Sequence, residues 1–248
     1  MKKLKWGWEI RLGLVLIVSS VVLYYVHFLI FRDTHHIFIY LLGDVAFIPI
    51  YVLIVTLIIH RVFNEREKHR VMEKMNMVIG AFFSEVGSQL IDYLIEFDSN
   101  LDRIRDSLII KKDWTNRNFL LAKRNFRNHD YEIDRKKGDL EKLRDFLKEN
   151  RAFLLRLLEN PVLLEHQNFS NLLWAVFHFS DELTRRRTLK NLPDSDYEHI
   201  VGDIKRVYVL LIGEWLDYMK HLQRRYPYLF SLALRTNPFD PNADITVK

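Results

Sequence analysis

The chain has 248 residues, 49% hydrophobic and 28% charged, with 37 Lys and Arg against 32 Asp and Glu. It has no cysteine, which excludes a disulfide scaffold, a thiolate zinc site, an iron–sulfur cluster and a cysteine nucleophile. With only 8 Gly and 6 Pro, a β-rich fold, a collagen-like chain and a long disordered linker are also disfavoured.

Residues 12–60 are almost all apolar, and the rest of the chain is strongly charged. Leu12–Phe31 carries no formal charge and, at ~1.5 Å per helical residue, is ~30 Å long, the thickness of a hydrocarbon core. Ile37–Ile59 is a second such run, interrupted only by Asp44 and Pro49. The first run is too long for a signal peptide, and Arg32-Asp33-Thr34-His35-His36 is no small-residue cleavage site, so an uncleaved anchor is expected. Lys2, Lys3, Lys5 and Arg11 precede the first span, and Arg61, Arg66, Lys68, Arg70 and Lys74 follow the second. The connecting loop holds only Arg32, so the positive-inside rule places both termini in the cytoplasm. Trp6 and Trp8 then fall at the inner aromatic belt, and Tyr24, Tyr25, Phe28 and Phe31 lie towards the outer one.

Residues 61–236 read as a cytoplasmic all-α domain. Val71, Met75, Val78, Phe82, Val86, Leu90, Tyr93 and Phe97 recur in steps of three and four, which predicts a stalk helix over 61–97 continuing from the second span. Ser99 and Asp102 suggest a capping box and a short helix to about Lys111. Thr115 should cap the next helix, ending near Asn128, and a polar break covers Asp130–Asp139. Leu140–Glu159 reads as one helix stopped by Asn160-Pro161. A helix starting at Asn168 or the Pro161 turn should run to about Arg186, and a last long one from Tyr197 to Arg225. The short apolar segment Tyr228–Leu234 follows, and 237–248 should form an extended tail. No strand pattern and no internal repeat is evident, so the fold class is all-α: a two-helix transmembrane hairpin (1–60), a stalk and a helical bundle.

The segments HHIFIYLLGDVAFIPIYVLIVTLIIHR, MNMVIGAFFSEVGSQLI and YPYLFSLALRTNPFDP resemble those of a group of bacterial hypothetical membrane proteins with two spans and a helical cytoplasmic tail. The resemblance covers both ends of the chain. It implies a multi-pass protein of the bacterial inner membrane and no particular chemistry.

Asp44 within the second span should face protein or water, because an ionisable group in lipid is costly. His27 in the first span lies at a similar depth, within ~4–5 Å along the membrane normal, so the two can pair across the hairpin. Such a pair serves as a structural hydrogen bond, the preferred reading, or as a proton- or ion-responsive element. Gly80, Ser84, Gly87 and Ser88 form a small-residue stripe suited to close helix approach, within the domain or between copies. Arg124 and His129 match the Arg-x4-His spacing that resembles the HEPN ribonucleases, a short pattern in a chain with 10 His; a solvated helix end is the preferred account. Glu214, Asp217 and His221 share a helix face, as do His178, Asp181 and Glu182. Neither set has the Glu-x-x-His of di-metal bundles, and a solvated polar face is the simpler account. His35-His36 beside Asp33 is a weaker metal candidate still. Arg185-Arg186-Arg187 and Arg224-Arg225 are basic, but charges from Arg61 onward are nearly balanced, which disfavours nucleic acid.

No phosphate-binding Gly-rich loop, Gly-x-Ser-x-Gly elbow or His-Glu-x-x-His is present. The expectation is therefore a non-enzymatic, cofactor-free interaction or sensory module, anchored in the bilayer and homo-oligomeric, with a cytoplasmic protein as a further candidate partner. Two alternatives stay open: an oligomeric channel or pore-forming effector lined by the second span, and a membrane-tethered ribonuclease.

Overall fold

The structure is a computed structural model and describes residues 7–134 and 137–246. Lys2, Lys3, Lys5 and Trp6 lie outside these, as do the last two residues of the expected tail. The regular structure of the described residues is all helical, with no strand and a single isolated bridge between Asp98 and Ile133. They divide into two units, Met1–Glu67 and Lys68–Lys248.

The first unit holds α1 (Gly7–Phe31) and the N-terminal part of α2 (Thr34–Phe82). Two residues suffice to join them. Arg32 adopts φ 50°, the left-handed conformation that ends many helices, and donates its N–H to Phe28 O at 2.8 Å. Asp33 then caps α2, its Oδ1 accepting the N–H of His35 at 2.9 Å and of His36 at 3.3 Å. The expected loop is thus shorter than 32–36, because Thr34–His36 are already helical. Pro49 lies inside α2 without ending it. The apolar side chains of this unit, among them Ile17, Leu23, Ile30, Phe38, Leu42 and Ile58, are exposed in the chain by itself.

In the second unit most apolar side chains are inside, with Trp174, Leu120 and Met77 among the exposed exceptions. The chain stays helical from Thr34 to Ile95, close to the predicted end at Phe97, but not as one uniform α-helix. A π-helical turn, Phe83–Gly87, intervenes before α3 (Ser88–Ile95). The extra residue is accommodated by Ser88, whose backbone N–H and Oγ both donate to Phe83 O. A Cβ on Gly87 would stand 2.6 Å from the Phe83 ring and 2.8 Å from the Phe82 ring, so only glycine fits under these buried aromatics.

Residues 99–111 form no α-helix. Two 3-10 turns, Leu101–Arg103 and Arg105–Ser107, replace it. Asp98, not Ser99, provides the turn, its Oδ1 accepting the Asn100 N–H at 3.0 Å, and Asn100 Nδ2 ties the segment to Asp130 O. The next helix, α4 (Asn116–Arg127), starts after Thr115, whose N–H donates to the Asn118 side chain at 2.8 Å.

The single helix expected over 140–159 is two, α5 (Leu140–Glu149) and α6 (Arg151–Leu158). Asn150, with φ −88° and ψ 0°, interrupts the run; its backbone N–H and its side-chain amide both donate to Phe146 O, at 3.2 and 2.9 Å. Asp139 caps α5 through the N–H groups of Glu141 and Lys142, and these bonds hold its carboxyl below the usual range. After a 3-10 turn (Pro161–Glu165) come α7 (Gln167–Arg185), α8 (Asp194–Arg225) and α9 (Pro227–Arg235). Pro227 stands at the start of α9, where its missing N–H costs nothing.

The pair α7–α8 forms the centre. Phe169, Leu172, Val176 and Phe179 of α7 and Ile204, Tyr208, Leu211 and Trp215 of α8 are buried. Edge-on ring contacts knit the other helices to them, Phe82 with Phe169 and Phe126 with Tyr208. The segment after α9 is non-helical but pinned at its start. Asn237 Nδ2 donates to Leu108 O at 3.0 Å, and buried Phe239 packs on Trp215.

Candidate functional site

A polar cleft of the second unit lies between α2 and α8 and measures about 440 Å³. Met72, Met75 and Ile79 give it an apolar wall; His166, Glu214, Asp217 and His221 line the other side, with Arg224 and Arg225 at the rim. The cleft follows from helical spacing. Glu214, Asp217 and His221 repeat at three and four along α8, and His166 enters from the N-terminus of α7, where its Nδ1 accepts the Phe169 N–H at 3.0 Å.

Each group in the cleft is tuned by its surroundings. Glu214 has a side chain only 5% exposed, and burial, helped by Asp217, pushes its carboxyl up to about 7, while Lys123 opposes this. Asp217 is ion-paired with Lys123 of α4. Burial lowers the His166 imidazole, and its Nδ1 lone pair is already engaged, so it offers no proton to Glu214 Oε2 at 4.0 Å. Burial, reinforced by Arg225 and Arg224, also lowers His221. The result is a carboxyl that changes charge near neutral pH beside two imidazoles held mainly neutral. Glu214, Asp217 and His221 therefore share one cleft, but Asp217 is taken by Lys123, and no metal-ligand grouping of the three occurs among the described residues.

His27 and Asp44 line a common groove of about 640 Å³ in the first unit, together with Ser19, Ser20, Tyr24 and Tyr40. His27 Nδ1 is buried without a hydrogen-bond partner, and its ring lies 4.7 Å from that of Phe31. The small-residue stripe does not meet a single partner. Gly80 faces Tyr218 of α8, with Oη 3.5 Å from where a Cβ would be, Gly87 lies under Phe82 and Phe83, and Ser84 and Ser88 are exposed.

Arg124 and His129 stand in different environments. Arg124 is exposed, whereas the His129 side chain is 5% exposed and bonded through Nε2 to Asp98 Oδ2 at 3.1 Å. Burial raises the Asp98 carboxyl, opposed by the Asn100 N–H and by His129. This pair fastens the end of α4 to the turn after α3, a structural role. The set His178, Asp181 and Glu182 is also parted. Asp181 pairs with Arg151 and Arg185, while His178 and Glu182 meet His199 and Asp203 of α8. His199 and Asp203 were not singled out in sequence, although each of these two helices carries a His four residues before a carboxylate. Of the basic clusters, Arg186 closes α7 by donating to Glu182 O and clamps Asp196 through two hydrogen bonds.

Residues 2–63 match a family described as "MJ1433, N-terminal helical domain", and residues 71–235 match "Uncharacterized protein MJ1433, C-terminal helical domain". A protein of that name from Methanocaldococcus jannaschii is 49% identical over 229 residues, covering 92% of each chain. That relative is archaeal, so the bacterial origin implied by the resemblance gains no support from it. No solved structure matches the chain. The gap between the matched segments, 64–70, contains the boundary between the two units. The chain is an all-helical member of the MJ1433 family, with the family's N- and C-terminal helical domains in order.

Proposed function

We propose that this protein is an integral membrane protein in which α1 and the apolar part of α2 anchor a helical sensory or interaction domain. One observation carries the anchoring. The apolar stretches of both helices are long enough to span a bilayer, and none of their most apolar windows is buried within the chain. A core helix of a soluble protein would be covered. Each Leu, Ile or Phe left in water forgoes ~1.5–3 kcal/mol, a cost that lipid removes. The Lys and Arg flanking the spans place both termini on the cytoplasmic side of the cell membrane. The cleft around Glu214 is the sensory element of this reading, since its carboxyl changes charge near pH 7.

The natural chain has no cysteine, so topology is read by single introduced thiols. In intact cells an impermeant maleimide should label Thr34→Cys and leave Asn242→Cys untouched until the cells are lysed, and the protein should stay in the membrane through alkaline carbonate extraction. Release into the carbonate supernatant overturns the proposal. Light scattering of the detergent-solubilised protein, with detergent subtracted, tests the homo-oligomer: a mass of one chain removes it.

A second reading, an oligomeric channel, is favoured by the groove that His27 and Asp44 share, because an unpartnered buried imidazole nitrogen beside an intramembrane carboxyl suits a proton or ion path. Asp44→Asn should then change ion flux in proteoliposomes, and an unchanged flux removes the channel. The placement of Arg124 and His129 gives the ribonuclease alternative no such support.

A further inference from the structure

The facing ends of α7 and α8 bring four side chains to one point. The helices run antiparallel, so His178 stands beside Asp203 and Glu182 beside His199. His178 Nε2 lies 4.0 Å from Glu182 Oε1 and 3.7 Å from Asp203 Oδ2. His199 Nε2 lies 3.7 Å from Glu182 Oε2 and 3.6 Å from Asp203 Oδ2. The donor atoms of His178, Glu182 and His199 thus lie within 4.8 Å of one another, and Asp203 Oδ2 reaches both imidazoles. Ligands of a tetrahedral ion at ~2.0–2.2 Å stand ~3.3–3.6 Å apart, so binding draws the three donors together by side-chain rotation and brings Asp203 Oδ2 in as the fourth.

The second observation is independent of the spacing. The Asp203 side chain is 1% exposed, and its Oδ2 has no hydrogen-bond partner. A buried carboxylate oxygen left unpaired calls for an explanation. Its other oxygen is fixed by Arg206 Nη1 at 2.6 Å, which aims Oδ2 at both imidazoles. Glu182 is held in the same manner: Arg186 Nη1 binds Oε2 at 2.7 Å and leaves Oε1 towards His178. Metal-ligating carboxylates are oriented by outer partners of this kind. The two histidines are about half exposed, so an ion can enter from solvent.

We propose that His178, Glu182, His199 and Asp203 form a site for a divalent transition-metal ion, Zn2+ by the nitrogen and oxygen donor set, that clasps the C-terminal end of α7 to the N-terminal end of α8. The bare alternative is a network in which protonated imidazoles sit between the two carboxylates.

The test uses the untagged full chain in detergent, stripped with a chelator and titrated with Zn2+ in a calorimeter. Saturable binding of one ion per chain and a Tm that rises with Zn2+ concentration are expected, and Co2+ should give the visible bands of a four-coordinate site. The double variant H178A/H199A should lose saturable binding, Arg206→Met should weaken it by ~10–100-fold, and H35A/H36A should leave it unchanged. Absence of saturable binding, or binding that survives H178A/H199A, overturns the site. If that double variant loses helical circular dichroism, Asp203→Asn decides, since it keeps the shape and the Arg206 contact: undiminished Zn2+ affinity in it overturns the proposal.

Discussion

Glu214 shows how a single residue couples this fold to pH. Burial raises its pKa from the ordinary 4.5 to about 7, so between these values the folded chain keeps a proton that the unfolded chain releases. Its contribution to stability is therefore highest below about pH 4.5, declines as pH rises to about 7 and then levels, a loss of up to about 3 kcal/mol. Glu214→Gln should flatten this window and raise Tm at pH 8, which thermal unfolding from pH 4 to 8 will show. His129 gives the opposite case. Its partner Asp98 is fully covered, so His129→Ala strands a buried carboxylate and should cost ~3 kcal/mol at neutral pH. Arg124→Ala, at an exposed position, should change stability by less than ~0.5 kcal/mol. Comparing the two by denaturant unfolding separates a structural histidine from a catalytic pair.

At the scale of elements, the π-helical turn and the small-residue stripe make one prediction of opposite signs. Ala at Gly80 meets only the Tyr218 ring at ordinary contact distance and removes a helix-interior glycine, so Gly80→Ala should stabilise by up to ~1 kcal/mol. Ala at Gly87 drives a methyl into Phe82 and Phe83, which are buried and cannot yield, so Gly87→Ala should destabilise by ~1–3 kcal/mol. Chemical denaturation of the two variants checks both signs. The same scale explains the divided helix over 140–159. Apolar periodicity runs through Asn150 unchanged, yet its backbone leaves the helical conformation there while its amide adds a second donor to the Phe146 carbonyl.

For the whole molecule the governing fact is the contrast between two units of one chain. Apolar side chains are mostly covered in one and bare in the other. Transfer to water penalises the bare helices whatever the helical domain does. Solubilisation should therefore depend on detergent for the full chain, and dilution below the critical micelle concentration should precipitate it, followed by sedimentation.

Length, uniform apolarity and flanking charge were enough to locate the two long N-terminal helices, because those properties belong to contiguous residues. The all-helical class was legible in the three- and four-residue steps for the same reason. The break at Asn150, the 3-10 turns after Ser99 and the π-helical turn before Ser88 were not, since each depends on which side chain reaches which backbone group. Of the cleft, Glu214, Asp217 and His221 could be read from one helix face, but His166 comes from another helix and Lys123 from a third. Glu214 acquires its raised pKa only when these helices pack around it. His199 and Asp203 lie on α8, after the turn that reverses the chain from α7, and only antiparallel packing sets them against His178 and Glu182. Periodicity reports which face a residue takes on its own helix; the facing residue is chosen by packing between helices, which no local pattern encodes.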